Sequence, residues 1–341
     1  MTDFRVTLIG AGRAGLVHGR SFNAGVPGAR LVAVADPGDD ARKAAGHELG
    51  IERTFADPLL AAVDAGTDAI VIATPTFSHA QIAIAALEAG KHVLCEKPIA
   101  ATLEDAEAMA ETARRADRVF MMGFMRRSDA RFARLAERLT AGEIGRPLFV
   151  RCTGRGPGLP PPWAWDIAQS GGLVAEVNSH DIDTIRWLSG QEAVRVFAAG
   201  RAAKRPDLAA SHPGFVDVVA ATIELSAGGL AQFDGACPAD YGYDARVEVY
   251  GSEGTLIVGG PIADTAVLVR RDGVVTDPVT SWRTLFADAY RDEARNFVAV
   301  CQGVEAPRTS ASDGVEALRV VLALNESMAT GAPVSVHEGM P

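Results

Sequence analysis

Gly10-Ala11-Gly12-Arg13-Ala14-Gly15 decides the fold. These six residues follow the apolar run Arg5–Ile9, read as a strand, and open a helical stretch. In that context each glycine has a separate task. Gly10 permits a tight turn, Gly12 lets the backbone approach a pyrophosphate, and Gly15 allows the helix to pack closely on the strand, with the helix N-terminus favouring negative charge. Gly10, Gly12, Arg13, Ala14 and Gly15 are therefore candidate cofactor contacts. Asp36 ends the next strand about twenty residues on, where a carboxylate accepts both hydroxyls of an adenosine ribose and repels a 2′-phosphate. The segment Pro37-Gly38-Asp39-Asp40 offers no arginine. NAD is expected over NADP.

Outward from this unit, β-branched runs at Leu31–Ala35, Ala69–Ala73 and His92–Cys95 alternate with alanine-rich stretches, the pattern of successive βα units. Their nearly continuous apolar character suits strands covered on both faces. The expectation is a doubly wound parallel sheet, a Rossmann domain over residues 1–122. Thr102 is placed to cap a helix at Leu103–Ala116, with Glu104, Asp105 and Glu107 in its first turn. After Phe120–Met122 the pattern changes. A helix at Arg131–Leu139 leads into strand-rich sequence beginning at Leu148–Cys152. Runs at Val194–Ala198, Val216–Leu225, Leu230–Cys237, Arg246–Tyr250, Thr255–Val258 and Ala266–Arg270 predict a largely antiparallel open sheet, interrupted by a helix at Asp181–Leu188. Helices at Leu285–Cys301 and Asp313–Ala329 follow. This gives an α/β fold with a C-terminal α+β domain over 123–341 for substrate binding and oligomerisation, the helix near 313–329 packing back on the first domain.

Composition narrows the function. At 341 residues the chain favours two domains. Lys+Arg 33 against Asp+Glu 43 gives a net charge of −10, which opposes nucleic acid and anionic lipid as partners. The start MTDFRVTLIGAG has no basic n-region, and no 18 apolar residues run together, so neither a membrane partner nor export is expected and a cytoplasmic location is. Cys95, Cys152, Cys237 and Cys301 are too far apart for a C-x-x-C pair and read as free buried thiols.

Further candidates lie where strands end. Thr74 and Pro75, with His79 shortly after, follow the Ala69–Ala73 strand at its carboxyl end, the edge where ligands bind in doubly wound sheets. His79 on its own reads either as a helix-start histidine or as a site residue. Glu96-Lys97-Pro98 ends the next strand. Lys97 there can hydrogen-bond a substrate hydroxyl and move a proton as hydride transfers, with Glu96 to anchor the ammonium; an ordinary strand-end lysine is the alternative.

In order, GAGRAG, ADP, ATPTFSH and CEKP resemble the Gfo/Idh/MocA oxidoreductases. The resemblance continues with Gly123-Phe124-Met125-Arg126-Arg127-Ser128-Asp129 and Tyr241-Gly242-Tyr243-Asp244, which are similar to stretches of the family's inositol dehydrogenase members. Ala141-Gly142-Glu143-Ile144-Gly145-Arg146-Pro147 and the step Asp313-Gly314 also match the family. Most informative is Gly171-Gly172-Leu173-Val174-Ala175-Glu176-Val177-Asn178-Ser179-His180-Asp181-Ile182-Asp183. On a helix Glu176 and His180 share a face, with Asp183 beside His180, an imidazole flanked by carboxylates. Such a cluster would also fit a metal, but hydride transfer to a nicotinamide needs only a positioned base, and no metal is expected. The resemblance implies that Lys97, Glu176 and His180 act together at the alcohol that is oxidised, with Arg127 and Asn178 among the substrate contacts. Glu176 departs from the usual aspartate, and its longer side chain bears on which hydroxyl is presented. Trp163 and Trp165 sit in a proline-stiffened loop and either cover the C–H face of a ring or pack a loop or subunit interface.

The implied activity is NAD⁺-dependent oxidation of a secondary hydroxyl on a cyclic polyol such as myo- or scyllo-inositol to the ketone. The substrate partner is thus a small polyol or sugar, and the resemblance implies a homodimer or homotetramer. Two alternatives stay open: the same chemistry on an aldose, anhydrosugar or glycoside, and a non-catalytic dinucleotide-sensing regulator.

Overall fold

The strands around the glycine loop are sealed from water. Val6, Leu8, Ile9, Ile70, Val71, Ile72, Val93, Leu94 and Cys95 have no exposed surface in the computed structural model, which describes residues 4–337. Burial on both faces is what a continuous apolar run requires of its neighbours.

Fifteen strands are described: β1 (Phe4–Ile9), β2 (Ala29–Ala35), β3 (Thr54–Phe55), β4 (Ala69–Ile72), β5 (His92–Glu96), β6 (Phe120–Gly123), β7 (Pro147–Arg155), β8 (Ala193–Arg201), β9 (Val218–Leu225), β10 (Leu230–Ala236), β11 (Asp244–Gly251), β12 (Thr255–Gly259), β13 (Leu268–Arg270), β14 (Gly273–Val275) and β15 (Val334–Ser335). The helices are α1 (Arg13–Asn23), α2 (Asp39–Leu49), α3 (Pro58–Ala62), α4 (His79–Glu88), α5 (Leu103–Ala116), α6 (Ala130–Thr140), α7 (Ile167–Ser170), α8 (Ser179–Ser189), α9 (Pro206–Ser211), α10 (Trp282–Leu285), α11 (Ala287–Cys301) and α12 (Ala311–Thr330). The chain divides into two units. One runs to Asp129 and takes back Ala287–Leu318; the other comprises Ala130–Phe286 and the chain from Arg319.

In the first unit all six strands run parallel in the order β3-β2-β1-β4-β5-β6. The chain winds away from β1 in both directions, so the turn after β1 lies at the topological switch point. Thr102 caps α5 by accepting from the Asp105 amide, as its sequence position predicts. Chain order groups α11 with the second half of the protein, yet its Ala294, Phe297 and Val298 pack with Val6, Leu8, Leu31 and Val34. That apolar stripe needs a partner, and the sheet of the first unit supplies it.

The second unit is built on a seven-stranded sheet, β12-β11-β7-β10-β9-β8-β15. Every pairing in it is antiparallel except β10 with β7, so the sheet is mixed. Strand alternation is clear in β9, where Val219, Ala221 and Ile223 are buried while Val218, Ala220 and Thr222 face out. The run expected at Ala266–Arg270 does not join this sheet. It pairs instead as β13 with β14 in a separate hairpin. The helix expected over Leu285–Cys301 is also broken, because Phe286 leaves the helical path and is fully buried, its ring centroid 6.2 Å from those of both Phe132 and Tyr243.

Candidate active site

At the switch point the glycines behave as their spacing predicts. Gly10 has φ +102°, and a Cβ on it would stand 2.4 Å from the Ala73 carbonyl oxygen, so no other residue fits without moving β4. A Cβ on Gly15 would meet the Gly10 carbonyl oxygen at 1.9 Å. Gly12, by contrast, has open space around it and forms the N-cap of α1, with Gly12 and Arg13 exposed. A cradle that is closed on the protein side and open at Gly12 fits a phosphate at a helix N-terminus.

The Asp36 carboxylate is fixed by two backbone amides. Oδ2 accepts from Ala11 N–H and Oδ1 from Gly38 N–H, each at 2.8 Å. Each oxygen keeps lone-pair capacity for a ribose hydroxyl. An arginine does lie close: Arg42 Nη1 donates to the Asp36 carbonyl oxygen at 2.8 Å, while its Nη2 pairs with Asp39. Arg42 lies one helical turn into α2, beyond the segment Pro37–Asp40.

The loops after β4 and β5 are tied together by His79, which is buried. Its Nε2 lies 3.0 Å from the Thr74 carbonyl oxygen and its Nδ1 2.9 Å from that of Pro98. Both partners are carbonyls, so the neutral ring donates to one of them and its other nitrogen faces the second, and His79 packs between the two loops. Burial lowers its pKa, against the pull of the two carbonyls. Thr74 Oγ1 accepts from Ser78 Oγ at 2.8 Å, and Pro75 starts the 3-10 turn Thr76–Ser78; both Thr74 and Pro75 remain partly exposed.

Glu96 is buried at the end of β5. Its Oε1 accepts from His18 Nε2 at 2.8 Å and its Oε2 from the Lys97 backbone N–H at 3.1 Å. Burial alone would raise the Glu96 pKa, but the hydrogen bond and charge of His18 and the charge of Lys97 outweigh it and hold the carboxyl below its usual value. Glu96 therefore fixes the backbone of Lys97, whose side chain is partly exposed. Arg127 Nη2 pairs with Asp313 at 2.8 Å, and its Nη1 donates to the Arg308 carbonyl. Gly314 follows because a Cβ there would meet Met122 Sδ at 2.8 Å. The Asp313-Gly314 step thus serves packing and an ion pair within the first unit.

The second unit carries the remaining candidates. Helix α8 is preceded by a π-helical turn, Val174–Asn178, where the sequence suggested plain α-helix. Glu176 lies inside that turn and is partly exposed; His180 and Asp183 lie on α8 and are buried. A π turn adds a residue to one helical turn and is frequent at functional sites. Asn178 is buried, its Nδ2 donating to Asp181 Oδ2 at 2.8 Å. Both side chains rest on a seat made by two glycines paired across β7 and β10: a Cβ on Gly154 would stand 2.1 Å from Asp181 Oδ2, and one on Gly235 2.2 Å from Asn178 Oδ1. Trp165 donates to the Pro160 carbonyl at 3.0 Å and sets its ring edge against His212; Trp163 is partly buried in the same 3-10 turn, Pro162–Trp165. Tyr241 donates to Asp244 at 3.0 Å, and Asp244 in turn holds Arg246.

The sequence alone does not single out His18, Asp181 or Glu293. Histidine in a helix and acid on a helical stretch carry no local signal, since their roles come from partners far along the chain. Among the described residues no group of three or more His, Cys, Asp or Glu is placed to hold a metal, and no helix is long and apolar enough to cross a membrane.

Residues 4–124 match the oxidoreductase family with an NAD-binding Rossmann fold, and residues 132–257 match the GFO/IDH/MocA C-terminal domain. The chain is similar to scyllo-inositol 2-dehydrogenase (NAD(+)) of Bacillus subtilis, 33% identical over 97% of this chain and 96% of that one. It is similar to myo-inositol 2-dehydrogenase of Thermotoga maritima, 32% identical over 98% and 99%. Among solved structures, scyllo-inositol dehydrogenase from Lactobacillus casei with bound NAD(H) and scyllo-inositol superposes with a TM-score of 0.91 at 28% identity, covering 98% of this chain and 99% of that one. The glycine loop at the switch point and the parallel sheet order suit a Rossmann fold, and the chain belongs to the Gfo/Idh/MocA family of NAD-binding oxidoreductases.

Proposed function

We propose that the protein is an NAD-dependent inositol dehydrogenase, oxidising one secondary hydroxyl of the ring to the ketone. The observation that carries this reading is similarity along nearly the whole chain to relatives named for that reaction. Bound NAD⁺ supplies the hydride acceptor. Gly10, Gly12, Arg13, Ala14 and Gly15 hold its pyrophosphate, Asp36 its ribose, and the loop of Thr74 and Pro75, clipped by His79, borders the nicotinamide. Lys97, fixed at its backbone by Glu96, hydrogen-bonds the hydroxyl. His180 removes the hydroxyl proton, directly or through Lys97, and Glu176 orients the polyol. Trp163 or Trp165 covers the C–H face of the ring. Arg127, paired with Asp313, and Asn178, paired with Asp181, are the remaining candidate substrate contacts.

Glu176, where related dehydrogenases usually carry aspartate, supports a second reading in which the same residues oxidise an aldose, an anhydrosugar or a glycoside. NADH formation is to be followed with myo-, scyllo- and chiro-inositol, glucose, an anhydrosugar and a glycoside, each with NAD⁺ and NADP⁺. Turnover confined to a cyclitol with NAD⁺ is the expected result. Turnover on sugars alone moves the substrate to the second reading, and tight NAD binding with no reduction anywhere in the panel makes the protein a dinucleotide sensor. We place the enzyme in the cytoplasm as a homodimer or homotetramer without nucleic-acid or membrane partners. Exposed Phe197, Leu230, Tyr250 and Ile257 on strands of the second unit support assembly, and the net charge of −10 supports the exclusion of polyanions. Light scattering of the purified chain reads the assembly state.

A further inference from the structure

The first unit buries a second acid close enough to Glu96 to feel its charge, one for which the proposed reaction has no use. Glu96 occupies a seat built for one carboxylate. A Cβ on Gly123 of β6 would stand 3.2 Å from Glu96 Cδ, so glycine there makes the room. His18 from α1 and the Lys97 amide take one oxygen each. Helix α11 approaches from another side. Tyr290 sets its ring edge against His18, centroids 5.1 Å apart, and Glu293, one turn further on the same face, is only 2% exposed. Neither carboxyl oxygen of Glu293 finds a hydrogen-bond partner among the described residues.

An unpartnered buried carboxylate is costly, so this group folds as the neutral acid. Burial first, and the charge of Glu96 second, push its pKa well above the usual carboxylate range, with Arg308 opposing. The other ionisable groups on the helix and turn packed most closely against α11 are Arg13, His18 and Arg20 on α1, and the fully buried Arg126 with Arg127 in the 3-10 turn Met125–Ser128. The pocket therefore holds one ionised carboxylate, Glu96, and one protonated one.

We infer that Glu293 is a positioning residue for Lys97, acting through Glu96. While Glu293 keeps its proton, Glu96 is the pocket's single anion and stays seated between His18 and the Lys97 amide. When Glu293 gives its proton to solvent, two carboxylates share one low-dielectric pocket and repel each other. Glu96 then leaves its seat, and the turn that carries Lys97 loses its anchor. The enzyme is thus shut on the alkaline side by a buried acid rather than by its lysine. Only the kinetic part of this inference rests on the proposed role of Lys97.

The test compares wild type with Glu293→Gln, which is isosteric with the neutral acid and cannot ionise. Two quantities are followed against pH: kcat for inositol oxidation, and hydrogen exchange of the Lys97 amide, corrected for its base-catalysed intrinsic rate, which needs no turnover. At pH 7 the variant should match the wild-type kcat to within about twofold, and where wild type has lost half its maximum the variant should retain about twice its rate. Corrected exchange at Lys97 should rise through that pH in wild type and stay level in the variant. Profiles of kcat that superimpose after scaling, or amide protection with the same pH dependence in both proteins, overturn the inference, since a merely structural Glu293 lowers activity equally at every pH. If no polyol is oxidised, the proposed function falls and the exchange comparison still decides this question. Should Glu293→Gln fail to fold, Glu293→Met, also unable to ionise and close in volume, is read the same way.

Discussion

Replacing Asp36 by alanine separates two roles that the structure gives one carboxylate. Its Oδ2 accepts from Ala11 N–H, and Ala11 is buried, so removing the carboxylate leaves that amide without a partner. An orphaned buried donor costs about 1–3 kcal/mol. Gly38, whose amide meets Oδ1, is exposed and regains water at little cost. The apo protein should therefore lose a few degrees of Tm, at roughly 2–4 °C per kcal/mol for a unit of this size. Cofactor binding loses the charge-assisted bonds to the ribose as well, about 1.5–3 kcal/mol, or tenfold to about a hundredfold in KM for NAD⁺. NADP⁺ loses a repulsion instead, and Arg42, 2.8 Å from the Asp36 carbonyl oxygen, stands near where its 2′-phosphate would come. The ratio of kcat/KM for NAD⁺ over NADP⁺ should fall by at least about tenfold, since each 1.4 kcal/mol is a factor of ten. Initial rates with both cofactors and thermal unfolding of the apo protein measure the two roles independently. A drop in Tm with an unchanged cofactor ratio would refute the ribose role and leave Asp36 as a prop for the glycine loop.

Lys97→Ala and His180→Ala should each lower kcat by about 10²–10⁴ with NADH affinity largely kept, and fluorescence titration beside steady-state rates checks both; unchanged turnover in either removes that residue from the mechanism. Gly235→Ala puts a methyl 2.2 Å from Asn178 Oδ1 on a fully buried side chain and should destabilise by about 1–3 kcal/mol, read as a lower urea midpoint. The Glu293 pKa is raised on folding, so the folded state holds a proton that the unfolded chain has released above its ordinary value near ~4.3; stability is lost as pH rises from there towards the folded pKa. Glu293→Gln should thus gain in Tm over wild type from pH 4 to pH 8, and a pH-independent difference would contradict a neutral buried acid. His79 has the opposite sense: its lowered pKa means that stability is lost as pH falls below about 6.5, a slope that His79→Gln should abolish.

What could be read from the chain and what could not divide along sequence distance. The glycine loop, Asp36, the cap at Thr102 and the run of βα units announce themselves within a few residues, because their physics is a turn, a cap or a period. The parallel pairing of β7 with β10 joins residues about eighty apart, and nothing in either strand's own pattern distinguishes it from the antiparallel pairs around it. The π turn before His180 is as hard to read locally: Asn178 within it and Asp181 just after it seat on Gly154 and Gly235, which β7 and β10 bring together from distant parts of the chain. Glu293 is the extreme case. On α11 it reads as one more charged position among Asp292, Arg291 and Arg295. Its burial comes from the face of α11 that Ala294, Phe297 and Val298 turn to the core, and its neutrality from Glu96, at the end of a strand almost two hundred residues earlier. A residue that conflicts with its surroundings is where local rules are expected to fail for functional reasons. Of the two buried acids, Glu96 is explained by what it touches. Among the described residues Glu293 meets no donor, and the reason left for an acid at that position is the charge it withholds from the surroundings of Glu96.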